Sequence, residues 1–135
     1  MTNLPTLLFR NGAWKNIFYV ASNVGPHSST SRATYTVPAG KKALILNISV
    51  LIQRFTAPTT PGDFSAVVSH TPNSGSSAWL GLARSLSGSV GAGDADRKNM
   101  CYPLDTYDMV TIVTKDGSTG GTVDYYIHVA IWEYS

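Results

Sequence analysis

The feature that most limits what this chain can fold into is a run of alternating residues, ALILNISVLIQ at 43 to 53. Successive side chains of an extended chain point to opposite faces. Leu44, Leu46, Ile48, Val50 and Ile52 would then gather on one side, with Asn47, Ser49 and Gln53 on the other. A second run, TVDYYIHVAIWEY at 122 to 134, keeps the same period: Val123, Tyr125, Ile127, Val129 and Ile131 alternate with Asp124, Tyr126, His128, Ala130 and Trp132. A period of two marks strands, and the β-branched and aromatic residues in both runs suit a pleated, half-buried surface.

Shorter strand candidates lie at 13–21, 32–37, 63–69, 77–84, 98–102 and 107–114, each bounded by Gly, Pro, Asn, Asp or Ser clusters that break regular structure. Seven to eight strands without a convincing helix predict an all-β chain, a two-sheet antiparallel β-sandwich of jelly-roll-like form. At 135 residues one hydrophobic core is feasible and two are not, so 1–135 reads as a single domain. Residues 1–12 read either as a first edge strand or as an arm reaching a neighbouring subunit. The Gly, Ser and Asp-rich stretch 85–98 reads as a mobile surface excursion.

Charged residues make up only 13% of the chain, about half the ~25% usual in soluble domains. So uncharged a chain is expected to hide surface against neighbours. The ten Lys and Arg, Arg54 among them, are scattered and read as solvated loop charges. A nucleic-acid partner, which needs a concentrated basic stripe, is not expected. No apolar run approaches the length of a membrane span, and Met1 to Gly12 lacks the pattern of a signal peptide, so no membrane partner is expected either. The single cysteine, Cys101, excludes an intrachain disulfide and reads as a buried small hydrophobe of a protein made in a reducing cytoplasm.

Catalytic motifs are missing where their chemistry would require them. A serine nucleophile elbow needs G-x-S-x-G between strand and helix, and the chain has neither. His27, His70 and His128 lack metal-binding spacing; His128, on the polar side of the last strand, suits a cross-strand hydrogen bond. The glycines at 88 to 93 run into Asp94-Ala95-Asp96, which would repel a phosphate. Those two carboxylates fall far short of the six to eight oxygens calcium takes. Asp63, Asp105, Asp108, Asp124 and Glu133 are the carboxylates from which a glycosidic acid/base pair would be drawn, and read more simply as turn and strand-end residues. No catalytic residue, cofactor or metal is therefore expected.

Tyr126, Trp132 and Tyr134 share one face of the terminal strand. Such a row suits a second core face, a subunit interface or a sugar-stacking platform. Together with Leu4, Leu7, Leu8 and Phe9 of the N-terminal stretch, these are the candidate partner contacts.

At 34–50, TYTVPAGKKALILNISV resembles a segment that recurs in small accessory virion proteins of tailed bacteriophages, where a strand ends in Val-Pro-Ala-Gly-Lys and the next carries alternating aliphatics. The ending is similar too: Pro103 and Leu104 before a turn with Asp105 and Asp108, a Val/Ile strand, a Gly/Ser/Thr hairpin, and a last strand closing on Trp132 and Glu133. The resemblance implies a β-sandwich subunit of the virion: a capsid decoration protein, a head fibre or a tail component, commonly assembled as a trimer or higher ring. It further implies the major capsid protein or other virion proteins as partners. A receptor- or carbohydrate-binding module of a tail fibre or spike is the alternative of a different class, and an enzyme is not expected.

Overall fold

The computed structural model describes residues 11–135. They form nine strands: β1 (Gly12–Trp14), β2 (Ile17–Val24), β3 (His27–Thr36), β4 (Lys42–Thr56), β5 (Phe64–Thr71), β6 (Ala78–Ser85), β7 (Gly93–Leu104), β8 (Met109–Asp116) and β9 (Thr122–Tyr134). One sheet has the order β1-β9-β4-β7, with β2 also paired to β9; the other runs β3-β8-β5-β6. All pairings are antiparallel. This is the expected two-sheet sandwich, in jelly-roll order.

The strand count exceeds the expected seven to eight because the 13–21 candidate is broken in two. β1 pairs with Trp132 to Tyr134 and β2 with Val123 to Val129. Between them the Lys15 amide donates to the Ile131 carbonyl (2.9 Å), and the Asn16 side-chain oxygen accepts from the Ile131 amide (3.1 Å). Asn16 thus replaces a backbone acceptor where the chain steps aside.

The longest ladder joins the two strands identified from periodicity, β4 and β9, from Lys42 opposite Tyr134 to Thr56 opposite Thr122. On β9 the alternation holds as read: Val123, Tyr125, Ile127, Val129 and Ile131 are buried. On β4 it does not hold throughout. Leu46 is an extra residue between Ile45 and Asn47, which oppose the consecutive Ile131 and Ala130. Such a bulge shifts the parity of one strand. Ala43 and Ile45 therefore face the core before it, and Ile48, Val50 and Ile52 after it, while Leu44 and Leu46 are only half-buried. The second sheet closes the core from below with Phe64, Ala66, Val68, Val110 and Ile112.

Two turns position these strands. At the Val-Pro-Ala-Gly-Lys corner between β3 and β4, the Lys41 amide donates to the Pro38 carbonyl (3.2 Å), and Gly40 has φ +74°. A side chain at that residue would be strained. Gly81 serves packing instead, because a methyl group there would lie 2.9 Å from the Ile48 side chain across the sandwich.

Of the stretch 85–98 expected to be a loop, residues 86–92 connect β6 to β7, but Gly93 to Lys98 belong to β7 and pair with Ile48 to Gln53. Asp94 and Asp96 accept hydrogen bonds from the amides of Arg84 (3.0 Å) and Leu82 (3.1 Å) on β6. Carboxylates at these positions close the free edge of the second sheet. They are not idle solvated charges. Cys101, expected to be buried, is exposed on this same edge strand.

Arg54 also departs from expectation. It is 1% exposed at the core end of β4, 3.4 Å from Asp116 through Nη1, with its guanidinium 4.4 Å from the Phe64 ring centroid. Asp116 in turn accepts from the Ser118 amide (3.1 Å) and hydroxyl (2.6 Å). Removing one partner of a buried ion pair strands the other charge, at about 3–5 kcal/mol. Asp116→Ala is expected to lower the unfolding free energy from urea titration by that much, with the far-ultraviolet spectrum at zero denaturant unchanged; an unchanged free energy would show the pair to be idle.

Candidate interaction surface

The outward positions of the first sheet form two uncharged rows. In one, Val20 on β2 stands opposite Tyr126 on β9, which stands opposite Leu51 on β4. In the next, Phe18, His128 and Ser49 are aligned in the same way. Phe18 is 65% exposed, Val20 60% and Tyr126 39%, so the rows leave large apolar side chains in water on a paired, rigid sheet. Contiguous apolar surface of this kind marks an interaction site in a soluble protein. The first charge met along the Ser49 row is Arg97, on edge strand β7.

Of the expected contact residues, Tyr126 lies in this band. Trp132 is only 7% exposed, its ring covered by Trp14 at 5.1 Å between centroids and 73° between planes. Its apolar surface is already used to dock β1. Tyr134 is half-buried, opposite Gly12 and Lys42 at the strand end. Leu4, Leu7, Leu8 and Phe9 lie outside the described residues. Phe18 and Val20 were missed by the sequence reading, although a signal for them exists: IFYVA at 17–21 is apolar at both parities. A strand with one wet face would not be.

Among the described residues His128 makes no side-chain hydrogen bond across its strand; its cross-strand neighbours are Phe18 and Ser49. His70 is different. Its ring is bonded to Asp108 through Nε2 (2.9 Å) and to the Tyr102 hydroxyl through Nδ1 (2.8 Å). Asp108 also accepts from the amides of Asn73 (3.0 Å) and Asp105 (3.0 Å), which ties the β5–β6 connection to the β7–β8 turn. Both ring nitrogens of His70 are thus engaged, and the cluster locks the two connections together.

The remaining carboxylates are likewise occupied one by one. Asp63 pairs with Arg84, Asp105 with Lys42, Asp124 accepts from the Asn23 amide, and Glu133 accepts from the Tyr35 hydroxyl. Burial first, then this bond and the Glu133 charge, push the Tyr35 hydroxyl up beyond its ordinary range. Among the described residues no three His, Cys, Asp or Glu side chains gather as a metal site, and no helix is long and apolar enough to cross a membrane.

No family model and no curated protein matches this sequence. Solved structures do. The chain is similar to the Eiger TNF of S. frugiperda at TM-score 0.56 and 11% identity, covering 93% of this chain and 94% of that one. It is also similar to the structure of infectious bursal disease virus strain Gx, at TM-score 0.48 and 14% identity, and to that virus's VP2 subviral particle, at TM-score 0.38 and 11% identity. In both, 90% of this chain is matched, spanning 32% of the viral chain. At such identities the likeness reaches the fold alone: a jelly-roll β-sandwich protein.

The Asp108 lock has a pH signature. Burial pushes this carboxyl up, but the Asn73 and Asp105 amides and the His70 ring outweigh it and hold the group below its ordinary value. A carboxyl depressed in the folded state stabilises the fold above its unfolded value, ~3.9, and that stability is lost as pH falls through the folded value. Melting temperatures of wild type and Asp108→Asn are therefore expected to differ at neutral pH and to converge below about pH 4. A constant gap would contradict the assignment.

Proposed function

We propose that this protein is a structural, non-enzymatic subunit of a tailed-bacteriophage virion, a capsid decoration protein that binds the outer lattice as a homotrimer and reinforces it. The observation that carries the reading is the uncharged band of Phe18, Val20 and Tyr126, exposed on a sheet whose strands are already paired. It is supported by the resemblance at 34–50, which spans the end of β3, the Pro38 to Lys41 corner and the first half of β4, and by the low overall charge. The sandwich holds the band rigid, so little conformational entropy is lost on docking.

Reinforcement follows from mass action. A subunit that binds the assembled shell, and not its separated parts, shifts the equilibrium toward the shell by an amount set by its concentration relative to its dissociation constant. The major capsid protein is the partner this implies, and the mature location is the virion surface.

The test is addition of the purified protein to capsids that lack it, followed by sedimentation and a thermal or chelator challenge. Saturable co-sedimentation with increased resistance is expected. Phe18→Ser with Val20→Ser should weaken binding at least tenfold, about 1.4 kcal/mol, while such exposed substitutions change stability by only about 0.5 kcal/mol each. Capsids that sediment free of the protein would contradict the reading.

A further inference from the structure

The opposite face of the sandwich carries a chemically different feature. On the outer side of β3-β8-β5-β6 an open groove of about 440 Å³ is lined by Trp79, Leu82 and Arg84 from β6, Ser65 and Ser69 from β5, and Lys115 from β8, among others. Small-molecule sites occupy roughly 300–1,000 Å³, so the space suits a few sugar residues. Its layout follows from strand register. Trp79 stands opposite Ser69 at one end, Leu82 and Val113 flank Val67 in the middle, and Arg84 and Lys115 flank Ser65 at the other. From Ser65 to Ser69 is four steps along one strand, or roughly 13 Å.

Each end has its own chemistry. Trp79 is 69% exposed, a flat apolar ring left in water beside the hydroxyl of Ser69. Arg84 is held in a two-point fork by Asp63, with Nε to Oδ1 at 2.9 Å and Nη2 to Oδ2 at 2.7 Å. The fork fixes both groups while leaving further guanidinium donors and carboxylate lone pairs for a ligand. Among the described residues the ion pairs of Lys and Arg are those of Lys42, Arg54, Arg84 and Lys98. Lys115 is in none of them, so the groove holds one ammonium that is not neutralised.

A ligand complementary to this surface has an apolar face to lie on an indole, hydroxyls for serine and the Asp63–Arg84 fork, and one negative charge. Pyranose rings offer C–H faces and hydroxyls together, and an acidic one adds the carboxylate. We infer that the groove binds an acidic saccharide, with a sugar ring stacked on Trp79, its hydroxyls bonded to the Asp63–Arg84 fork and Ser65, and a uronate or sialate carboxylate paired with Lys115. This site is independent of the capsid-docking face on the other sheet, and either assignment can fail without the other.

The test is ligand-observed NMR and calorimetry of the intact protein with oligogalacturonate, a sialylated trisaccharide and neutral malto- and cello-oligosaccharides. Binding of at least one acidic saccharide is expected, and whether uronate or sialate binds identifies the source. Trp79→Ala is expected to weaken it at least tenfold. Lys115→Met is expected to abolish the preference for acidic over neutral sugars. Both positions lie on the surface, and circular dichroism of the variants verifies the fold. No saccharide binding at millimolar concentrations, equal binding of neutral and acidic sugars by the wild type, or acidic-saccharide binding untouched by Trp79→Ala would each overturn the proposal. A Trp79→Ala variant that loses self-association, in a protein that binds no sugar, would make the groove a protein interface and overturn it as well.

Discussion

The antiparallel ladder between β4 and β9 is the constraint on which the other parts of the structure depend. Its two strands sit at the centre of the first sheet, with β1 and β2 added on the β9 side and β7 on the β4 side. Their inward residues, Ile48 with Val129 and Val50 with Ile127, are fully or almost fully buried. A one-residue slip of β4 would turn Ile48 and Val50 to solvent and Ser49 into the core, and a slip of β9 would do the same to Ile127 and Val129 against Tyr126 and His128. The same register therefore sets both the core and the exposed band. Most pairings span long sequence separations, so the ladder becomes favourable only after large loops have closed.

Polar groups take over where the apolar core stops. At one end of the sandwich Arg54, Asp116 and Ser118 are buried together; at the other, His70, Asp108 and Tyr102 join two connections. His70 and Asp108 are bonded to each other and to further partners. Arg54, by contrast, reaches Asp116 and Ser118 through Nη1 alone, with its buried Nε and Nη2 unbonded among the described residues and the guanidinium over the Phe64 ring. Both sets fix loop geometry more than they add net stability. At the open edge Asp94 and Asp96 do the same for the amides of β6. Charged side chains on β7 also discourage further strand addition at that edge.

Periodicity made the architecture legible, and its failures have specific causes. The inward set of β9 could be read directly because the extra residues at both irregularities of its ladder with β4 lie on β4 and leave the parity of β9 intact. On β4 the Leu46 bulge was invisible, since a strand of aliphatics reads equally well in either parity. Residues 93–97 looked like a loop because their inward positions carry aspartates, whose partners are amides of a strand distant in sequence. Arg54 looked solvated for a related reason: its partner Asp116 lies sixty-two positions on. Of the surface row proposed from the last strand, Tyr126 is exposed while Trp132 is covered by β1, and only pairing reveals which. The Trp79 groove draws on all four strands of the second sheet and had no linear signature.

Native-state hydrogen exchange of the backbone amides tests the central role of the β4–β9 ladder most directly. The amides of Ile48, Val50, Ile127 and Val129 are expected to exchange only through global unfolding, at the free energy given by denaturant titration. Those of edge strands β6 and β7 should exchange earlier, through local openings. Exchange in the middle of β4 and β9 at or below the free energy of the edges would contradict a structure organised around that ladder.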